Sequence, residues 1–194
     1  MKNNQHNCKN TDRLAQKIAF LENPEKRGDI PPDQLFGMLP INKTDNVLDF
    51  GAGSGYLTIP AAKRVDGQVY ALDIDPQMLE IINAKAHDEQ LTNIQTVQGN
   101  TDTIPLPNDS IDLAFASLVL HEVKPLSTTL QQINDVLKEG GHFVCVEIEA
   151  KEISIDGPPR IPSPIMEQEL LNAGFSITQK LFPSDRIYII IAEK

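Results

Sequence analysis

Val47-Leu48-Asp49-Phe50-Gly51-Ala52-Gly53-Ser54-Gly55-Tyr56 is the stretch on which the fold turns. Val47, Leu48 and Phe50 make a short apolar run of the kind that forms a strand buried on both faces, and three glycines carry it into a helix-like segment. In a doubly wound sheet such a loop lies at the carboxyl end of the first strand, where ligands bind, and glycine lets backbone and ligand approach closely. Spacing narrows the choice. A dinucleotide fingerprint places glycines at the first, third and sixth positions, and the sixth counted from Gly51 is Tyr56. No Gly-Lys-Ser/Thr follows, so a P-loop is excluded as well.

Outward from this loop, short β-like runs alternate with longer helix-like ones, the pattern of a parallel sheet covered on both faces. Upstream, Arg13–Leu21 reads as an amphipathic helix through Leu14, Ile18 and Leu21, and Pro32–Leu39 as a second one closed by Pro40. Downstream, Tyr56–Arg64 reads as a helix in which Pro60 must fall near the first turn. Gln68–Leu72 is the second strand, and Asp75-Pro76 is a capping signal that starts a helix from Pro76 to about Glu89. Ile94–Val97 and Ile111–Ala116 are strands three and four. Leu126, Leu130, Ile133 and Leu137 then share a helical stripe that Gly140-Gly141 is expected to cap.

Phe143–Ile148 is strand five, followed by a stiff loop with Pro158, Pro159, Pro162 and Pro164. Ser163-Pro164 opens a helix ending near Gly174, and strands Phe175–Leu181 and Arg186–Ala192 close the chain. The turn between those two is too short for a crossover helix, so they must run antiparallel. The expected fold is therefore α/β, a single doubly wound, mostly parallel seven-stranded sheet with an antiparallel C-terminal strand.

The 194 residues suit one domain, with 17 basic and 27 acidic side chains giving a net charge of −10. The charge is uneven: residues 1–28 carry six basic and three acidic groups, net +3, which leaves −13 on residues 29–194. So negative a body repels a phosphate backbone and speaks against nucleic acid as a partner. No run reaches the roughly 18 to 20 apolar residues of a membrane span, and the polar start does not resemble a signal peptide, so the expected location is cytoplasmic. Cys8 and Cys145 are too far apart for a disulfide scaffold, and four unpaired histidines make a metal site an unfavoured expectation. Residues 1–28 form a leader separate from the 29–194 domain, either a solvated tail or a lid.

The second chemical signal is Asp73, at the end of strand two in Ala71-Leu72-Asp73-Ile74-Asp75, where a carboxylate can accept from vicinal ribose hydroxyls. A glycine loop that fails the pyrophosphate spacing, beside such an acid, implies an adenosine-type ligand without a pyrophosphate.

These residues resemble the class I S-adenosylmethionine-dependent methyltransferases. Asp49-Phe50-Gly51-Ala52-Gly53-Ser54-Gly55 is similar to the family's E/D-x-G-x-G-x-G motif, with Asp73 at the matching distance. The segment from Gly99 to Leu113 looks like its G-D-A-x-x-L-P-F-x-D-x-S-F-D stretch, and Leu137-Lys138-Glu139-Gly140-Gly141 like its L-K-P-G-G turn. The likeness runs unbroken over roughly residues 35 to 192.

It implies the Rossmann-like methyltransferase fold, S-adenosyl-L-methionine as cofactor and a small-molecule methyl acceptor. Gly51, Ala52, Gly53 and Gly55 would face the methionine part, and Asp49 would receive its ammonium. Asp73 would take the ribose hydroxyls, Ile74 and Met78 would cover the adenine, and Asn100 with the Thr101 amide would read its edge. The family's usual Asp is Asn100 here, whose amide oxygen still accepts from an amino group. Ser117, Leu118 and His121 would line the mouth, with His121 the first candidate general base and Glu122 the second.

Within the family the body resembles the group holding quinone C-methyltransferases and arsenite methyltransferases. The latter need several thiolates, and this chain has two cysteines. Bland readings stand beside these: Asp49 and Asp73 as strand-end caps, Met78 as core, His121 as a hydrogen-bonded structural residue. A non-catalytic S-adenosylmethionine-binding sensor or partner subunit is the alternative, and a NAD(P)-dependent oxidoreductase, disfavoured by Tyr56, a third.

Overall fold

Val47 and Leu48 are wholly shut off from solvent and Phe50 nearly so, which only a central strand covered on both faces provides. The computed structural model describes residues 14–23, 30–99, 103–150 and 159–194. Helix α1 spans 14–21. After it come α2 (Pro32–Phe36), β1 (Val47–Phe50), α3 (Thr58–Ala62), β2 (Val69–Asp73), α4 (Pro76–Asp88), β3 (Ile94–Gln98) and β4 (Ile111–Ser117). A 3-10 turn (Leu120–Glu122), α5 (Leu126–Val136), β5 (Leu137–Ile148), α6 (Ser163–Asn172), β6 (Ser176–Ser184) and β7 (Ile187–Glu193) complete the order.

The strands form one seven-stranded sheet in the order β3-β2-β1-β4-β5-β7-β6. β1 pairs in parallel with β2 on one side and β4 on the other, with Asp49 opposite Ala71 and Phe115. The strand order reverses there, and the crevice at such a switch point is where open α/β sheets hold ligands. β7 runs antiparallel between β5 and β6, as the short turn requires. The doubly wound, mostly parallel seven-stranded sheet with an antiparallel C-terminal strand expected from the sequence is thus the one observed.

Alternation along the strands divides the core between two faces. Leu48, Phe50, Ala114, Ala116, Phe143, Cys145 and Tyr188 pack with Leu130 and Ile133 of α5 and Met166 and Leu170 of α6. Val47, Val69, Leu113, Phe115, Val144 and Val146 pack on the other side with Leu35 and Phe36 of α2 and Ala61 of α3. The Phe36 ring meets Phe115 edge-on at 5.8 Å. Each buried side chain of this size contributes about 1.5 to 3 kcal/mol, so neither face is expendable.

Local signals mostly hold. Asp75 caps α4 by accepting Gln77 N–H at 3.0 Å, and Pro76 follows at the first helical position. Pro60 falls in the first turn of α3, where its missing N–H leaves no intrahelical bond unmade, though α3 is shorter than Tyr56–Arg64. The Gly140-Gly141 cap is a correction. α5 ends at Val136, Leu137 is already extended, and it pairs with Ile111 as the first residue of β5. Lys138 holds this early pairing by donating to both Asp112 oxygens at 2.7 and 2.8 Å. The glycines turn the strand back toward the chain end, with Gly140 N–H on Lys194 O at 3.3 Å and Lys194 N–H on Gly141 O at 3.0 Å.

Alanine substitutions test this placement. At Gly140, where φ is +74° and nothing lies within 4 Å of a new Cβ, the expected loss is strain of about 1 kcal/mol. At Gly141 the new Cβ would stand 2.8 Å from the Lys138 carbonyl oxygen, and crowding raises the loss to about 2 to 3 kcal/mol. Urea midpoints of the two variants should differ in that order, and equal midpoints would contradict the turn described.

Candidate functional site

The loop after β1 is held close to the chain that follows β4. Gly51 has φ +75°, and a Cβ there would lie 2.5 Å from Val119 Cγ2, so neither the conformation nor the space admits a side chain. Leu118 is itself held at φ +54°, an uncommon conformation for leucine that is found where surrounding structure over-determines it. Its N–H donates to Val146 O at 2.9 Å, which fixes the segment against β5.

Two carboxylates frame the loop. Asp49, 3% exposed, accepts the Thr58 hydroxyl at 2.6 Å. Asp73 accepts Gly53 N–H on one oxygen at 2.7 Å and Asp75 N–H on the other at 2.9 Å. Asp73 thereby locks the glycine loop to the start of α4, while each oxygen keeps a lone pair for a ligand hydroxyl. Burial pushes the Asp75 carboxyl up, yet the Lys17 ammonium at 3.0 Å and the Gln77 and Met78 amides outweigh it and hold it below its ordinary value.

Between these elements lies a cavity of about 360 Å³, a size within the usual range for small-molecule sites. Of the site residues expected from sequence, Asp49, Gly51, Ala52, Gly53, Asp73, Ile74, Met78, Ser117, Leu118 and Glu122 line it. Asn100 and Thr101 lie outside the described residues. Gly55 is not part of the lining, because the space its Cβ would take is 3.0 Å from Ile82 Cγ1 and brings the loop against α4. Met78 is at once core and wall, fully buried yet lining the cavity. Ile74 is 69% exposed at the rim.

His121 is not in the lining either. Its Nδ1 lies 2.8 Å from Glu147 Oε2, and the carboxylate of Glu122, the second candidate base, is 3.8 Å from Nε2. Glu147 was legible only as a lone charge in the apolar run Phe143–Ile148. Lys17 and Leu21 of α1 line the cavity too, a role the leader's residues did not disclose. α1 lies across the loop, with Leu21 Cδ1 3.5 Å from the Cβ position of Gly53. Lys17 bonds Asp75, and Lys85 bonds both Glu22 and, at 2.8 Å, Ser54 O. Phe20 is 51% exposed, and Arg27 is outside the described residues.

The donor set fits an adenosyl amino acid. Ser54, 1% exposed and part of the lining, keeps its hydroxyl buried with no hydrogen-bond partner among the described residues, so a polar group from a ligand would satisfy it. Asp49 and Asp73 offer anionic acceptors at either end of the loop, and Met78 and Leu72 an apolar surface between. Among the described residues no three His, Cys, Asp or Glu cluster to hold a metal ion, and no helix is long and apolar enough to cross a membrane.

Comparison with known proteins agrees with this geometry. Residues 48–145 match the family model described as a methyltransferase domain. A demethylmenaquinone methyltransferase of Geobacillus sp. (strain WCH70) is 30% identical over 141 residues, covering 72% of this chain and 58% of that protein. Another of that name, from Listeria welshimeri, is 28% identical over 173 residues, 88% of this chain and 66% of the relative. The chain thus spans somewhat over half the length of the first of these relatives. Among solved structures, a SAM dependent methyltransferase from Aquifex aeolicus superposes with a TM-score of 0.81 at 23% identity, covering 91% of this chain and 96% of that one. The [4+2]-cyclase SpnF gives 0.76 at 18%, covering 84% and 80%. Identities this low speak for the fold alone.

Two substitutions probe the site without any ligand. Asp73→Asn leaves one of two backbone N–H groups facing an amide donor, and an expected loss of about 1 to 3 kcal/mol is read from urea unfolding. Lys17→Ala breaks a half-exposed ion pair worth no more than about 1 kcal/mol. Because Asp75 titrates below its ordinary value of 3.8, that contribution is complete above this pH and is lost as pH falls through the lowered value. The stability difference between wild type and Lys17→Ala should shrink as pH falls below 3.8 and Asp75 takes up its proton, and a difference that stays constant through that titration excludes the pair as its source.

Proposed function

The chain belongs to the methyltransferase domain family, and on that premise we propose that it transfers the methyl group of S-adenosyl-L-methionine to a small-molecule acceptor. The observation that carries the reading is the Asp73 carboxylate fixed beside the glycine loop in a cavity whose Ser54 hydroxyl is unmatched. A sulfonium supplies an already activated methyl group, so the protein's task is alignment and exclusion of water, which together can be worth about 7 to 11 kcal/mol.

In this reading Asp49 receives the ammonium and Asp73 the ribose hydroxyls. Ile74 and Met78 flank the adenine, and Asn100 with the Thr101 amide reads its edge. Ala52 and the backbone of Gly51 and Gly53 border the methionine part, while Ser117 and Leu118 face the reacting end. Glu122 at the wall and His121 behind it supply a base where the acceptor carries a proton of high pKa. The relatives named demethylmenaquinone methyltransferase support a small acceptor, and the −13 charge of residues 29–194 speaks against nucleic acid. The cytoplasm is the compartment assigned with this function.

Residues 1–28 act as a lid over the 29–194 domain, a reading supported by Lys17 and Leu21 in the cavity wall. An apolar contact from Leu21 and the Lys17–Asp75 pair would shield the site from water once a ligand is bound.

Ligand-induced stabilisation tests the assignment, since whatever binds the native state raises its melting temperature. S-adenosylmethionine and S-adenosylhomocysteine should both raise it and NAD(P) should not; Asp73→Ala should abolish the shift. A shift with NAD(P) alone returns the chain to oxidoreductase chemistry. Binding of the adenosyl ligands with no labelled methyl passing into a metabolite extract assigns it instead to a sensor or partner role. For the lid, Lys17→Ala with Leu21→Ala in the full chain is expected to weaken S-adenosylmethionine binding by about three- to tenfold, one packed side chain and one exposed pair. Unchanged affinity and turnover in that variant leave α1 a tail.

A further inference from the structure

Glu147 lies in the apolar carboxyl half of β5, where Val144, Cys145 and Val146 are fully buried, and its own carboxylate is wholly shut off from solvent. Across the antiparallel ladder it faces Tyr188, also fully buried. A carboxylate in such a setting is costly unless hydrogen bonds and charge compensate it. Both hydrogen bonds described at Glu147 come from His121: the backbone N–H reaches Oε1 at 3.3 Å and the ring Nδ1 lies 2.8 Å from Oε2.

The other titratable groups around it are engaged elsewhere or inert. Tyr188, its phenol held protonated by burial and then by Cys145, Glu147 and Glu149, donates to Ile161 O at 2.9 Å. Glu149 accepts Ser163 N–H at 3.0 Å. Burial, reinforced by Glu147, keeps the Cys145 thiol protonated. His121, with 8% of its side chain exposed, therefore turns its Nδ1 side to Glu147 and stands with Nε2 3.8 Å from Oε1 of Glu122, which lines the cavity. A carboxylate that accepts Nδ1–H sets the tautomer and leaves the Nε2 lone pair free.

We propose that Glu147 is a positioning residue for proton removal: it holds His121 in the Nδ1–H tautomer, so that Nε2 collects, by way of the Glu122 carboxylate at the cavity wall, the proton that the acceptor loses on methylation. This rests on the methyl-transfer reading and deepens it. The acceptor's electron pair forms the new bond to the methyl carbon, the carbon–sulfur pair stays on sulfur, and the acceptor's proton ends on Nε2, giving methylated acceptor, a neutral thioether and an imidazolium. No further co-reactant is needed.

Two readouts on the full chain test it. Long-range 1H–15N NMR of the ligand-free protein, with His121→Asn to assign the ring among four histidines, should show Nδ1 protonated and Nε2 bare in the neutral ring. Glu147→Leu should lose that tautomer, whereas Glu147→Gln, whose amide oxygen still accepts, should keep it. Labelled transfer from S-adenosylmethionine into a protein-free metabolite extract should fall about ten- to a hundredfold in Glu147→Leu and less in Glu147→Gln. KM for S-adenosylmethionine and its thermal shift should stay within twofold in both, a split that a purely structural role would not produce. An Nε2–H tautomer in the wild type, or wild-type turnover in Glu147→Leu, overturns the proposal. Should Glu147→Leu fail to fold, Glu122→Gln decides, because wild-type turnover there breaks the relay. A wild-type protein that neither binds S-adenosylmethionine nor transfers label refutes methyl transfer itself, a result distinct from either failure of Glu147.

Discussion

The Asp73 carboxylate accepts Gly53 N–H on one oxygen and Asp75 N–H on the other, and through those two bonds the end of β2, the loop after β1 and the start of α4 become one rigid body. Asp75, so held, caps α4 and meets Lys17 of α1. Each of these contacts is modest, about 1 kcal/mol or somewhat more for a charged acceptor. Their value lies in sharing one anchor, since a loop of three positive-φ glycines has little stiffness of its own. The parallel sheet brings the strand ends together, and Asp73 gives the loop a single shape there.

The opposite wall is stiffened by different means. Val119 fills the space beside Gly51, Leu118 is kept in a left-handed conformation with its N–H on β5, and His121 is tied to Glu147 by ring and backbone. One wall is thus fixed by an acid receiving amide donors near the surface, the other by steric contact and a buried carboxylate. Strain in the second wall is maintained by the packing of β4 and β5, whose long ladder is among the most buried parts of the sheet.

The seven strands, their antiparallel ending, the α4 cap and about half of the cavity-lining residues were legible in the sequence because each depends on local signals: alternation, glycine spacing, an Asp-Pro pair. What escaped depends on contacts distant along the chain. Gly140-Gly141 satisfies a helix-cap pattern locally, yet Lys138 on Asp112 and Leu137 opposite Ile111 draw the preceding residues into a strand. Gly55 looks equivalent to its neighbours until Ile82 is placed against it. Glu122 is next to His121 in sequence and comes within 3.8 Å of Nε2, but the ring's hydrogen-bond partner, on Nδ1, comes from 26 residues further on.

The uneven charge of the chain takes on a narrower meaning at α1. Lys17 on Asp75 and Lys85 on Glu22 join α1 to the body with one cation from each side, so the net +3 of residues 1–28 is not what holds the helix down. Such half-exposed pairs are screened over about 8 Å at physiological salt and contribute little each. The contact of Leu21 with the loop at Gly53 is apolar, so salt does not screen it, and it falls on the anchored loop itself. The helix is therefore oriented by charge and seated by one apolar contact, so little energy holds it in place, which is what the lid role proposed for it requires.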